Sequence, residues 1–282
     1  MPKKLKKIII FYHGDCSDGF GGAWAAWKKF GNKADYIPLY RDNPLPSGLK
    51  NKEVYFIDFT PNSETEMRRL LRDNIRVTCI DHHITAKSSV DLTYKPLFAL
   101  NHSGSVLAWQ YFHPGVRVPT LLRYVEDRDI WKWKLPVSKE ISEYLDMFDF
   151  DFKKWSRIAG DLESVSRKKE YIKGGRLLLR YKTGLLESIS GNAELIKFSG
   201  KTIYAINSPH DFASELGHLL SMRRPPFAVI WNKESGLIKV SLRSIGDFNV
   251  GKLAQKFGGG GHKHSAGFSF PFKKGFPWKF IK

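Results

Sequence analysis

Apolar residues in the first half of the chain gather into short runs that end abruptly in polar ones. KKIIIFYH, ADYIPLY, EVYFIDFTP and RVTCIDHH have the length and composition of buried strands. Between them, DGFGGAWAAWKKFG predicts a helix opened by Asp18 as N-cap and closed by Gly31, and SETEMRRLLRDN carries a Ser63 to Glu66 capping box. Strand and helix alternate in this way up to about residue 135, which predicts βα units and a parallel sheet.

The pattern then changes. From about Asp161 to Ser190, Val165, Ile172, Leu179 and Leu186 recur every seven residues, with Leu178 and Leu185 broadening the stripe, which predicts an amphipathic helix. Lys169, Lys173, Arg176 and Arg180 form a basic line beside it. A solvated flank is the plainer reading of such a line; the functional one is a connector that tracks a phosphate backbone. From about Ile196, KTIYAIN, PPFAVIWN and GLIKVSLRS read as strands, NVGKLAQKF as a helix, and GGGGHKHSAGFSF follows. A second, smaller α+β domain is expected there.

Composition narrows the class. The 282 residues suffice for two domains, 42% hydrophobic content is globular, and no apolar run reaches the ~20 residues of a membrane helix. MPKKLKKIIIFYHGD imitates a secretory signal, but its apolar run is short and no small-residue cleavage site follows, so a first strand is expected. Cys16 and Cys79 could form at most one bridge, which favours a reducing cytoplasm and a plain reading as small buried residues. A net charge of +18 would attract polyanions, so nucleic acid or a phosphorylated ligand is the natural partner, with no membrane role.

Chemistry concentrates where strands end. Strands finishing near His13, Asp58 and Asp81 carry acids or histidines at their carboxyl ends, the position outside which open α/β sheets bind ligands. Singly, each is more often a cap or a satisfied polar group. Gathered together, Asp58, Asp81, His82 and His83 would repel and desolvate one another unless a cation sat between them, and their oxygen and imidazole donors suit Mn²⁺, Mg²⁺, Fe²⁺ or Zn²⁺. YVEDRDIWKW adds Glu126, Asp127 and Asp129, and its Trp131 and Trp133 read either as core or as base-stacking faces beside Lys132 and Lys134. The glycine run Gly258 to Gly261 permits close backbone approach and anion-binding amides, but lacks the Lys-Ser/Thr of a P-loop.

Asp81-His82-His83, with Asp58 on the preceding strand and the His13 and Asp18 cluster on the first, resembles the DHH superfamily of phosphoesterases. VSLRS followed by GGGGHKHSAGF is similar to its C-terminal DHHA1 substrate-binding domain, and the arrangement is most like the oligoribonuclease and nanoRNase branch. The resemblance implies an α/β fold. An N-terminal doubly wound parallel sheet (1–150) would carry the metals, a helical linker (151–193) would follow, and a smaller DHHA1-type α+β domain (194–282) would bind substrate. It implies two divalent metal ions, usually Mn²⁺ with Mg²⁺ as the alternative. His13, Asp15 and Asp58 would hold one, and Asp18, Asp58, His82 and Asp127 the other.

Asp81 would orient a histidine, His83 would face the phosphate, and Asp81, His82 and His83 would form the catalytic set. Arg243, Ser244, Gly259, Gly260, Gly261 and His262 would bind substrate phosphate. Where the family shows Asp-x-Asp-Gly, this chain reads DCSDG, so Asp18 is the firmer match. The implied activity is hydrolysis of short RNA or single-stranded DNA to mononucleotides. Cyclic dinucleotides or 3'-phosphoadenosine 5'-phosphate are the alternative substrates, a non-catalytic nucleic-acid binding module is the alternative of another class, and a homodimer is open.

Overall fold

The computed structural model describes residues 5–40, 44–61 and 63–281; Lys3 and Lys4 of the leader-like start lie outside them. The chain divides into two compact units, 1–179 and 180–282. In the first, β1 (Ile8–His13), α1 (Ser17–Phe30), β2 (Ala34–Leu39), β3 (Glu53–Ile57), α2 (Glu64–Asp73), β4 (Arg76–Asp81), the short α3 (Lys87–Val90) and β5 (Leu97–Phe98) alternate as the hydropathy pattern predicts. Helices α4 (Gly104–Phe112), α5 (Thr120–Asp129), α6 (Ser138–Leu145), α7 (Phe152–Glu163) and α8 (Val165–Ser190) follow. Gly31 ends α1 at φ 52°, a conformation that favours glycine, and the Ser63 hydroxyl caps α2 by accepting the Glu66 amide. The expected N-cap Asp18 lies instead in the first turn of α1, and Cys16 is the cap.

The first sheet is all parallel in the order β2-β1-β3-β4-β5. Its strands β1, β3 and β4 are buried on both faces. Ile10, Tyr12, Ile57 and Ile80 face one helix layer, while Ile9, Phe11, Phe56, Val77 and Cys79 face Met67 and Leu70 of α2. Helix α1 lies close on the sheet because position 22 is glycine: a Cβ there would stand 2.3 Å from Ile57 Cγ2. Strand order reverses between β1 and β3, since β2 flanks β1 on its other side, and this is the switch point at which open sheets form a crevice. Register does the rest. Tyr12 pairs with Ile57 and Ile57 with Ile80, so His13, Asp58 and Asp81 follow side by side along one sheet edge.

Helix α8 begins differently from expectation. Val165 is 79% exposed, so the apolar stripe starts at the half-buried Ile172; Lys169, Lys173, Arg176 and Arg180 are exposed.

The second unit adds β6 (Glu194–Phe198), β7 (Lys201–Asn207), α9 (Ala213–Arg223), β8 (Phe227–Glu234), β9 (Leu237–Ser244), α10 (Val250–Gln255), β10 (Gly260–Gly261), β11 (Ser265–Pro271) and β12 (Lys279–Phe280). Its mixed sheet runs β10-β11-β9-β8-β7-β6-β12, with β7 and β8 parallel and the other pairs antiparallel. Leu216 and Leu220 of α9 pack with Ile206 and Ile230, and Leu253 of α10 with Phe198, Phe227, Phe268 and Trp278. No helix among the described residues is long and apolar enough to cross a membrane.

Candidate metal centre

Asp58 occupies the middle of the crevice. It follows β3 directly, its amide still donating to Ile80 O at 2.9 Å, and its φ of 55° is uncommon for a residue bearing a Cβ. Such backbone strain collects at functional sites. The carboxylate is 4% exposed. Its Oδ2 lies 3.6 Å from His13 Nδ1 and accepts from Cys16 Sγ at 3.4 Å. Its Oδ1 has His82 Nε2 at 3.2 Å and His83 Nδ1 at 3.7 Å, yet is buried without a hydrogen bond of proper geometry.

The helices bring the remaining acids. Asp18, 1% exposed, accepts the Gly104 amide on Oδ2 at 2.7 Å and the Ser105 amide on Oδ1 at 2.9 Å. A carboxylate thus sits at the positive N-terminus of α4, which Ser103 caps. Only glycine fits at 104, because a Cβ would stand 2.6 Å from Asp58 Cβ and 3.0 Å from Asp18 Oδ2. His82 Nε2 reaches 3.9 Å from Asp18 Oδ2 and 3.5 Å from Asp129 Oδ2. Asp81 acts one step back: its Oδ1 accepts from the His82 and His83 amides and stands 2.8 Å from His83 Nδ1, while its Oδ2 accepts from Thr60. That contact orients the His83 ring.

Two of the expected ligands lie apart from the cluster in this structure. Asp127 is 3% exposed, but its oxygens accept the Lys134 and Leu135 amides at 2.9 and 3.1 Å, so it holds the following loop. The acid that α5 delivers to the cluster is Asp129. Asp15 is exposed and stands outside the potential ligand groups, where Cys16 takes its place. Three such groups form among the described residues: His13, Cys16 and Asp58; Asp58, His82 and His83; Asp18, His82 and Asp129. They share Asp58 and His82.

Electrostatics state what the cluster lacks. Burial and then the neighbouring Asp58 push the Asp18 carboxyl up, and burial with Asp18 and Asp58 does the same to Asp129, although 26% of its side chain is open. Burial would also raise Asp58, but His13, His82 and His83 outweigh it and hold this carboxyl well below the usual range. Burial would lower His82, yet Asp58, Asp129 and Asp18 push it up to about 10. Crowded buried acids thus draw protons onto their neighbours. A divalent cation answers the same demand, and the incompletely satisfied Asp58 Oδ1 and the mixed oxygen and imidazole donors fit one.

In the second unit, Arg243 and Ser244 end β9. Arg243 pairs in register with Ser265, just beyond the turn that follows Gly261. Arg243 packs over Gly217, where a Cβ would stand 2.4 Å from its Cγ, and donates to Ser214 Oγ; burial lowers its guanidinium to about 10. The Ser244 hydroxyl donates to Phe248 O at 2.8 Å and stands 3.1 Å from His264 Nδ1. The glycine run differs from the open cradle. The Gly258 and Gly259 amides donate to Gln255 O and Ala254 O, and Gly260 and Gly261 pair with β11. A Cβ at Gly259 would stand 2.1 Å from Gly267 O, and Gly261 has φ 137°. His262 follows in the turn, its amide donating to Ser265 O.

Cys16 and Gly104 escaped the sequence reading as site residues. The signal for Cys16 was its position two residues before Asp18 in DCSDG; Gly104 carried none, because its constraint comes from distant chain.

Comparison with known proteins agrees with this anatomy. Residues 201–276 match the DHHA1 domain family. An uncharacterized protein of Acanthamoeba polyphaga mimivirus is 31% identical over 296 residues, covering 95% of this chain and 68% of its own length. Oligoribonuclease NrnB of Bacillus subtilis is 26% identical over 244 residues, covering 77% of this chain and 59% of its own length. The solved DHH domain of a member of the s1p family of ribosomal proteins is similar in fold, with a TM-score of 0.62 at 12% identity, covering 98% of this chain and 83% of that one.

Proposed function

Because the chain belongs to the DHH/DHHA1 superfamily of phosphoesterases, we propose that it is a metal-dependent hydrolase that cleaves short oligonucleotides to mononucleotides. One observation carries the reading: at the switch point the buried Asp58 carboxylate has His13 beside Oδ2 and His82 and His83 beside an Oδ1 that lacks a hydrogen bond of proper geometry, and His82 in turn meets Asp18 and Asp129. The NrnB likeness and the +18 charge support an oligonucleotide substrate.

His13, Asp58, His82, Asp18 and Asp129 would hold two divalent cations, with Asp58 common to both. Bound there, such ions lower the pKa of water and neutralise charge at phosphorus. The protein's own groups set the geometry. Asp81 fixes the His83 ring, which stays 37% open and faces a substrate phosphate as a hydrogen-bond donor. The α4 amides clamp Asp18 in place. Trp131, 43% exposed and two residues beyond Asp129, and the half-buried Trp133 offer rings for a base, with their centroids 5.2 Å apart. In the second unit, Arg243 and His262 would bind a phosphate.

The test is digestion of a 5'-labelled RNA of about five nucleotides with Mn²⁺ and with a chelator, beside a linear dinucleotide and a cyclic dinucleotide. Chelator-sensitive release of mononucleotide from the RNA is expected. Protein that takes up metal but leaves the RNA intact would remove the oligonucleotide reading, and cleavage confined to the cyclic substrate would replace it.

A further inference from the structure

The first potential ligand group holds a residue that neither the acids nor the histidines explain. Cys16 Sγ lies 3.2 Å from His13 Nδ1 and 3.4 Å from Asp58 Oδ2, and those two atoms are 3.6 Å apart. Nitrogen, oxygen and sulfur ligands about 2.0, 2.1 and 2.3 Å from one tetrahedral ion stand roughly 3.4 to 3.6 Å from each other. Each edge of the triangle is therefore within about 0.3 Å of the corresponding edge for three ligands around one cation. The other oxygen of the same carboxylate, Asp58 Oδ1, turns toward His82 and His83 and is buried without a hydrogen bond of proper geometry, so the carboxylate that anchors the triangle is itself incompletely satisfied.

Sequence and helix geometry agree. Cys16, and not the exposed Asp15, stands two residues before Asp18. As N-cap of the 14-residue helix α1, its sulfur accepts the Gly19 amide at 3.3 Å; burial and then the neighbouring Asp58 and Asp18 carboxyls push the thiol well up, so its proton stays on sulfur until a cation displaces it. Resting on the metal reading above, we propose that Cys16 Sγ is itself a ligand of the cation held by His13 and Asp58. The thiol proton leaves to solvent as the sulfur–metal bond forms, and the ion is held by one nitrogen, one oxygen and one sulfur. A soft donor there turns the site from Mg²⁺ toward thiophilic ions such as Zn²⁺ and Co²⁺.

Titration of the full chain with Co²⁺, followed by absorption, tests this. The expected result is a near-ultraviolet sulfur-to-cobalt charge-transfer band alongside the visible cobalt bands. Cys16→Ser should abolish it, and Cys79→Ala, which removes the other of the chain's 2 cysteines, should leave it intact. Cys16→Ser should also weaken Zn²⁺ binding by about tenfold or more, and Mg²⁺ binding by less. Cys16→Asp, as a folded control, should bind Mn²⁺ without the band. Visible cobalt bands with no near-ultraviolet band in the unaltered protein, or a band that survives Cys16→Ser, would overturn the assignment while leaving the metal centre standing. No cobalt uptake at all would overturn both.

Discussion

At the ends of β1, β3 and β4, polar side chains crowd together without satisfying one another; at the end of β9 they do the opposite. Asp18, Asp58 and Asp129 all lie within 3.9 Å of His82, and one Asp58 oxygen is buried without a hydrogen bond of proper geometry. The Ser244 hydroxyl and the amides of Gly258 and Gly259 all find acceptors within their own unit. A buried polar group left unpaired is costly, so it persists where a ligand completes it, whereas a satisfied network is scaffold. By this measure the first region is built around something added, and the second is built to hold the β10–β11 hairpin against β9.

Substitutions should separate the two. The largest effect belongs to Asp58→Ala, which removes the carboxylate proposed to serve both cation positions. Single-turnover hydrolysis of labelled RNA should fall about a thousandfold or more, and retained turnover at saturating Mn²⁺ would break the contrast. Asp129→Asn should weaken metal binding in calorimetry, yet change the stability of the metal-free protein little, because relieved repulsion with Asp18 and Asp58 offsets the lost attraction to His82. Its neighbour is the counter-test. Asp127→Asn should lower stability by about 1–3 kcal/mol in urea unfolding, since it disturbs the Lys134 and Leu135 amides, with the visible spectrum of bound Co²⁺ unchanged.

In the second unit, Gly259→Ala should lower stability by about 1–3 kcal/mol through its clash with Gly267 O, while Co²⁺ uptake stays the same; lost uptake would show that the hairpin is not mere scaffold. The smallest effect is in pH. His82 has its folded pKa raised from 6.5 to about 10, so its contribution is complete below pH 6.5 and is lost as pH rises toward about 10. The melting temperature of the metal-free protein should therefore fall over that window, and added metal, which takes the neutral imidazole, should flatten the fall.

The sequence displayed most of the sheet and little of the fine selection among acids. Period-two burial, the Ser63 cap and the Gly31 stop are local signals, and each appears where the pattern puts it. His13, Asp58 and Asp81 could be grouped because strand ends align in a parallel sheet. Asp127 and Asp129 are two residues apart on one helix, hence turned about 200° from each other, and only the phase of α5 against the sheet decides which meets His82. Tryptophan presents a similar limit. Trp131 and Trp133 read more simply as core, but left-handed backbone at both, φ 56° and 50°, leaves the first exposed and the second half-buried. The glycine run has the same composition whether it forms an open loop or a strand edge, and pairing with β11 settles the matter.

Asp127 has one more consequence. Its carbonyl accepts the amides of Lys132 and Trp133, and its carboxylate those of Lys134 and Leu135, so four successive amides converge on one residue. A surface loop of this kind would ordinarily exchange its amide protons quickly with solvent. Here no one of the four can open far without straining the others. The loop should show up as a patch of slowed deuterium uptake at 132–135, and because its anchor is two residues from Asp129, the rate of that uptake reads out the condition of the neighbouring cluster without any reaction being run.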